Sequence, residues 1–369
     1  MSTTQHTKVI CEGITKLFVP KLEVTKRGPG SKVKDVFYNP AMELNRDLSI
    51  LLAQWLVNSS NNHLCFLDGL AASGIRGIRM ANEVDGSVFD VNVNDWDKAA
   101  FSLLKKNIGK TKLKNVYASN KNLNLLLCEE RFSYIDVDPF GSPARFIDSA
   151  IRSIRNNGVI ACTATDTAAL CGVYPKVCLR RYGAYSFHSF MMKEIGMRIL
   201  LGFIGREAAK YDKGIKPLVC HCTDHYFRVY VRVVSGVKHA NDTMKNIFFV
   251  KSDKLGFSKI KTCDVGPLWM GFLHDKNVIK ELRTLLFEKK LGSKHELWKL
   301  LSLLEEEADA PAFFYTSEAL SSFLGRSPPK MDVIFKKLED KGYNVFKTHF
   351  NCTGFKTDAA LEEILSVFQ

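Results

Sequence analysis

The strongest constraint on this chain is an alternation of short apolar runs with helically spaced segments through residues 63–234. His63 to Leu67 is an apolar run that ends at Asp68, and a glycine-bearing turn leads into a helix near Gly74-Ile75. Ser87 to Val93 is a second run, ending at Asn94-Asp95 before a helix over Asp97 to Asn107. Val116 to Ala118 is a third, and Phe132 to Val137, ending at Asp138, a fourth. A helix over Pro143 to Arg155 and a strand over Gly158 to Thr165 continue the order. Runs of this length read as strands buried on both faces. Strands alternating with helices imply parallel pairing through crossovers, and so a doubly wound α/β sheet. A long helix over Phe187 to Ala209 follows, then strands over Lys216 to Cys222 and Tyr226 to Val234. Thr223-Asp224-His225 joins these two strands, which are expected to close the sheet antiparallel.

The pattern changes on both sides of this block. Before it, residues 1–35 are basic and turn-rich around Gly28-Pro29-Gly30, and Leu48, Leu51, Leu52 and Trp55 then mark one face of a helix over Asn45 to Val57. After Gly236, helices are expected over Asn277 to Phe287 and Ser293 to Ala308. Thr316 or Ser317 caps a helix over Ser317 to Leu324, Ser327-Pro328-Pro329 turns the chain, and a helix over Lys330 to Lys341 stops at Gly342. A strand over Tyr343 to Phe350 completes a winged-helix-like order. At 369 residues the chain has room for two domains. The expected division is a catalytic domain over 1–235 and a smaller α+β domain over 236–369.

Charge narrows the class of partner. The net charge is +13, and residues 1–235 carry most of it, with 32 basic side chains against 21 acidic. A basic excess of this size favours a polyanion. The first eight residues are polar with no apolar stretch behind them, and no run approaches the roughly 18 residues of a membrane helix. The ten cysteines are scattered, as free thiols in a reducing compartment would be, and a cytoplasmic location is expected. Cys220-His221-Cys222 lacks the spacing and the second pair of a structural zinc site, so it reads as a buried strand and no metal is expected.

Four loops fall at the carboxyl ends of the expected strands, the edge where open α/β sheets bind ligands. Asp68-Gly69-Leu70-Ala71-Ala72-Ser73-Gly74-Ile75-Arg76-Gly77 is rich in small residues and opens a helix, although not with dinucleotide G-x-G-x-x-G spacing. Asp95 ends the next strand, where an acid suits a ribose diol. These two loops leave a nicotinamide dinucleotide and S-adenosylmethionine both open. The third, Asp138-Pro139-Phe140-Gly141-Ser142-Pro143, resembles the D/N-P-P-Y/F motif of methyltransferases that act on exocyclic base amines. Such an amine is conjugated with its ring and a poor nucleophile, so a carboxylate that draws off its proton assists transfer. Proline fixes the turn, and an aromatic offers a face to an extruded base.

Four segments together resemble the tRNA (guanine-26, N2)-dimethyltransferase family in its archaeal form. They are Phe37-Tyr38-Asn39-Pro40 with Asn45-Arg46-Asp47; Leu70 to Arg79; Asp138 to Pro143; and Thr163-Ala164-Thr165-Asp166 with Leu170-Cys171-Gly172. Weaker matches reach Thr348-His349-Phe350, so nearly the whole chain is covered. The resemblance implies a Rossmann-like S-adenosylmethionine-dependent methyltransferase domain, a tRNA substrate and dimethylation of guanine N2. It implies cofactor contacts at Arg46, Arg76 and Asp95 and a catalytic acid at Asp138, beside Pro139 and Phe140. On the adenine side the family has an Asp-Ala pair, whereas this chain departs from it with Asn120-Lys121. The extra zinc-binding cysteines associated with bacterial and eukaryotic members are not found. The resemblance leaves two rival readings: methylation of another exocyclic amine, such as adenine N6, and a non-catalytic RNA-binding module. A monomer that binds neither DNA nor membrane is expected, with Lys330, Lys336, Lys337, Lys341 and Lys347 helping to hold tRNA.

Overall fold

A computed structural model describes residues 7–21, 36–86, 89–223, 225–256 and 262–368. The Gly28-Pro29-Gly30 turn, the start of the run at Ser87 and Asp224 lie outside the described residues. In chain order the first elements are β1 (Thr7–Glu12), β2 (Thr15–Pro20), α1 (Glu43–Asn58), β3 (Leu64–Asp68), α2 (Ile75–Glu83), β4 (Phe89–Asn94), α3 (Lys98–Lys110), β5 (Val116–Ser119), α4 (Leu123–Glu129), β6 (Phe132–Val137), α5 (Ala144–Ser153) and β7 (Ile154–Ala164). There follow α6 (Thr167–Leu170), α7 (Pro175–Tyr182), α8 (Met192–Ala209), β8 (Lys213–Thr223), β9 (Tyr226–Ser235), α9 (Val237–Lys245), β10 (Ile247–Lys251), β11 (Asp264–Trp269), α10 (Lys276–Glu288) and α11 (Lys294–Glu307). The chain ends with β12 (Tyr315–Thr316), α12 (Ser317–Leu324), α13 (Met331–Glu339), β13 (Val345–Lys347), β14 (Gly354–Thr357) and α14 (Leu361–Val367).

These elements form two compact units that are interleaved in sequence. One is Met1–Thr163 with Tyr230–Val234 and Lys280–Lys299; the other is Ala164–Val229 with Ser235–Ile279 and Leu300–Gln369. The first unit holds strands in the order β5-β4-β3-β6-β7, followed by its part of β9. Pairing is parallel from β5 through β7. The chain grows outward from β3 through β4 to β5, then returns to place β6 on the other side of β3. That reversal opens a crevice between β3 and β6, with Asp68 in register with Asp136. All six residues of β6 are buried, as a central strand requires.

The expected cut at residue 235 does not coincide with the compact units. Residues 280–299 belong with the first unit. Lys289 Nζ donates to Glu83 O at 2.7 Å and pairs with Asp85 at 2.6 Å, while Ser293 donates through N and Oγ to Asp47 Oδ2. These contacts span more than 200 positions, and no local pattern announces them.

In the second unit, α8 packs on β8 and β11. Gly202 allows a close approach there, since a Cβ would stand 3.0 Å from Pro267 O and 3.2 Å from Trp269 N. The last segment forms a three-stranded sheet of order β12-β14-β13, with α12, α13 and α14 packed around Leu320, Ile334, Leu338, Phe355 and Ile364. This is the winged-helix-like element. Thr316 caps α12 by accepting from Ala319 N, and Gly342 takes a φ of +87° just beyond α13. The strand expected over 343–350 is shorter, because Thr348 Oγ1 and His349 N turn to Glu307. Helices α4, α6, α7 and α9 have four to nine residues, too few for periodicity to reveal them.

Cys220-His221-Cys222 lies within β8, as expected of a strand, and neither cysteine is in a disulfide. Among the described residues, His274, Glu307 and His349 form a group of metal-ligand type. Glu307 there accepts from Thr348 Oγ1 and from His349 N and Nδ1, and it pairs with Lys356 at 3.0 Å. The lysine ammonium already supplies the positive charge that a metal would bring.

Candidate active site

The crevice is walled by the loop after β3. Gly69 N donates to Asp136 O, and Ala71 N donates to Asn94 O, which ties this loop to both neighbouring strands. A Cβ at Gly69 would lie 2.9 Å from Asp136 O. Ala72 takes a φ of +49°, costly for a residue with a side chain, and its N–H points at Asp95 Oδ2 at 2.8 Å. Gly77 N donates to Asp68 Oδ2, so the first turn of α2 is held by an acid of β3.

Arg76, on that first turn, is the hub. Its Nη1 donates to Asn45 Oδ1 and Ser49 Oγ, each at 2.6 Å, its Nε stands 3.5 Å from Asp136 Oδ1, and its Nη2 contacts Asp138. One guanidinium therefore serves two carboxylates, and Asp68 is close enough to feel both them and it. Burial first, then the Asp136 charge, pushes the Asp68 carboxyl up to about 7, against the pull of Arg76. Asp138 itself is half-buried at the mouth of the crevice. Pro139 behind it is buried, while Phe140 is 53% exposed and packs edge-on against Phe37 with ring centroids 4.7 Å apart.

Asp95 sits at the end of β4. Its Oδ1 accepts from Asp97 N and its Oδ2 from Ala72 N. Each oxygen retains a lone pair for a hydroxyl. Burial raises its pKa, and these backbone donors oppose the shift. Trp96 beside it is 70% exposed. Asn120 Nδ2 donates to Asp95 O at 2.7 Å, which binds the loop after β5 to that after β4. Lys121 uses its backbone N and O on Asn94 and turns its exposed ammonium to Glu129 at 2.5 Å.

Arg46 is held by a residue that sequence reasoning missed. Its Nε and Nη2 donate to the two oxygens of Glu12 at 2.7 and 2.5 Å, and Nη2 also reaches Asn39 O. Burial, the largest influence, would raise Glu12, but Arg46, Tyr38 and Arg79 together outweigh it and hold the carboxyl below its usual range. Arg79 adds a wholly buried charge that meets Glu12, Asp47 and Glu83 within 3.1 Å. Asn45 and Ser49 were also missed as partners of Arg76, although their spacing of four on α1 is a legible sign of a shared face.

This geometry can be set beside known proteins. The profile of the family described as N2,N2-dimethylguanosine tRNA methyltransferase matches residues 13–369. The tRNA (guanine(26)-N(2))-dimethyltransferase of Methanobrevibacter smithii is 36% identical over 383 residues, covering 98% of this chain and 97% of its own. That of Thermococcus kodakarensis is 38% identical, covering 97% of this chain and 98% of its own. The chain belongs to this family. The solved structure of Trm1 from Pyrococcus horikoshii with S-adenosyl-L-methionine matches with a TM-score of 0.86 at 33% identity, over 98% of this chain and 99% of that one. The family's Rossmann-like methyltransferase fold is thus the fold of this chain. Among the described residues, no helix is long and apolar enough to cross a membrane.

The residues present fit the methyl donor that family membership implies. Asn45 Nδ2 is buried without a hydrogen-bond partner among the described residues, beside Arg76. An amide donor stranded next to a guanidinium suits an incoming carboxylate. The acid–diol match at Asp95 and the close-passing backbone at Gly69 to Gly74 suit the nucleoside part.

Proposed function

We infer that this chain dimethylates the exocyclic N2 of guanine-26 in tRNA, with S-adenosylmethionine as donor. The observation that carries the reading is Asp138-Pro139-Phe140 at the end of a central strand, with Asp138 held by the arginine that opens α2. Family membership supports the substrate and the donor. Arg76, Asn45 and Arg46 are the groups we assign to the methionyl carboxylate, Asp95 to the ribose and Asn120 to the adenine edge. Lys121 contributes through its backbone, since its ammonium is turned to Glu129. The donor's sulfonium makes its methyl group electrophilic, so the protein's task is alignment and proton removal.

Asp138 accepts a hydrogen bond from guanine N2–H and takes that proton as the new N–C bond forms. Arg76 Nη2 contacts Asp138 and holds its carboxylate in place until then. Pro139 sets the turn, and Phe140, braced by Phe37, offers its face to the extruded base. A second turn of the same cycle is possible because the monomethylated amine still carries one N–H. The test is to methylate unmodified tRNA, digest it and identify the nucleoside by mass and position. N2,N2-dimethylguanosine at position 26 is expected. Modified adenine, or a guanine elsewhere, would overturn the assignment of substrate, and an unmodified product would overturn the enzyme.

A further inference from the structure

Thr167 to Lys193 contains Lys176, Arg180, Arg181 and Lys193 and no aspartate or glutamate. In a chain with 39 acidic residues, a stretch of one charge sign is unusual. It folds within the second unit as α6, α7, their connections and the first two residues of α8. The inward face of α7 is a firm anchor. Cys178 and Tyr182 are fully buried, and the Tyr182 ring meets Phe203 of α8 edge-on at 5.6 Å. Tyr182 OH donates to Asp166 Oδ1, Arg181 pairs with Asp166 Oδ2 at 2.9 Å, and Arg206 Nη2 donates to Tyr182 O.

The outward face is a different surface. Lys176, Leu179 and Arg180 are exposed, flanked by Val173, Tyr174 and Tyr185, the two tyrosines at 59% and 51%. Neither Lys176 nor Arg180 has an ion-pair partner among the described residues. The rings stand on fixed backbone. Gly172 lies at φ +83°, where a Cβ would meet His188 N at 2.5 Å, and Tyr185 exchanges both backbone hydrogen bonds with Gly266. Uncommitted cations beside solvent-facing aromatics, without an acid between them, are the chemistry of RNA contact: cations take phosphates and rings take bases. A second copy of the chain would bring the same positive charge and be repelled.

We propose that the outer face of α7, with Tyr174 and Tyr185, is a surface that grips the substrate RNA. This rests on the tRNA reading above. Of the five lysines expected to hold tRNA, two are committed elsewhere, Lys337 to Val367 O and Lys341 to Glu363, which leaves more of the task to this face.

The experiment is fluorescence anisotropy of labelled tRNA on the full chain, titrated from about 50 to 200 mM salt. Lys176→Ala/Arg180→Ala is expected to lower the slope of log affinity against log salt by roughly 1.5 to 2, near one unit per phosphate contact. Tyr174→Ala is expected to lose about tenfold in affinity with the slope unchanged, and Tyr174→Phe to keep it. Thermal melting of each variant should match wild type, since all three positions face solvent. The comparison pair is Lys245→Ala/Lys251→Ala, two exposed lysines already paired with Asp242 and Asp264. Wild-type binding in every α7 variant, or an equal loss from the comparison pair, would overturn the proposal while methylation by the wild-type chain still stood. A wild-type chain that leaves tRNA unmethylated and unbound would instead sink both readings.

Discussion

Asp68→Asn should stabilise the cofactor-free protein at pH 8 and leave it nearly unchanged at pH 4.5. Asp68 is 2% exposed, and its carboxyl is raised from 3.8 to about 7 by burial and by Asp136. The folded protein thus holds the proton up to about pH 7, while the unfolded chain releases it near 3.8. Stability therefore falls as the pH rises between these values, and the penalty is complete above 7. At 1.36 kcal/mol per unit it amounts to about 4 kcal/mol. Asparagine carries no charge, and its Oδ1 can still accept from Gly77 N. The exchange of a charge-assisted for a neutral hydrogen bond costs about 1 kcal/mol. The net gain at pH 8 is about 3 kcal/mol, which corresponds to a rise in Tm of roughly 6–12 °C for a unit of this size. Differential scanning fluorimetry of both proteins at the two pH values measures it. A variant destabilised by the same amount at pH 4.5 and pH 8 would refute the claim that a buried acid is strained here.

Four further outcomes are expected. Asp138→Ala should lower the methylation rate by about 100-fold or more with cofactor affinity nearly intact, read by single-turnover kinetics beside calorimetry; near-normal turnover would remove it from the mechanism. Asp95→Ala should weaken S-adenosylmethionine, since charge-assisted hydrogen bonds contribute about 1.5–3 kcal/mol each, and an unchanged dissociation constant would move the ribose elsewhere. Arg79→Ala should cost about 3–5 kcal/mol in urea denaturation, because Glu12, Asp47 and Glu83 would be left buried around a missing cation. A chain cut after residue 235 loses residues 280–299, whose Lys289 and Ser293 hold Glu83, Asp85 and Asp47; it should melt well below the full chain, and equal melting temperatures would show that this segment does not support the first unit.

Much of the site was legible because it is built from local rules. A strand buried on both faces must be a continuous apolar run, so β3, β4 and β6 stood out. The ligand-side loops follow those runs directly, so Asp68, Asp95 and Asp138 could be placed at strand ends from spacing alone. The chemistry we propose for the Asp-Pro-Phe turn rests on three consecutive residues. Short helices α4 and α7 escaped, because seven or eight residues complete barely two turns, whereas the equally short α12 was marked by its Thr316 cap and the Pro328-Pro329 turn after it.

The amino-acid sequence by itself determined which residues line the strand ends and which chemistry they can perform, since periodicity and turn composition act over a few neighbouring positions. Tertiary structure decided who partners whom. Glu12 reaches Arg46 across 34 positions, and Lys289 reaches Glu83 across 206. Arg76 meets Asp138 only because the strand order reverses between β3 and β6. A buried charge is stable only beside its partner, and that partner is chosen by the route of the chain through space, which no local window of sequence contains.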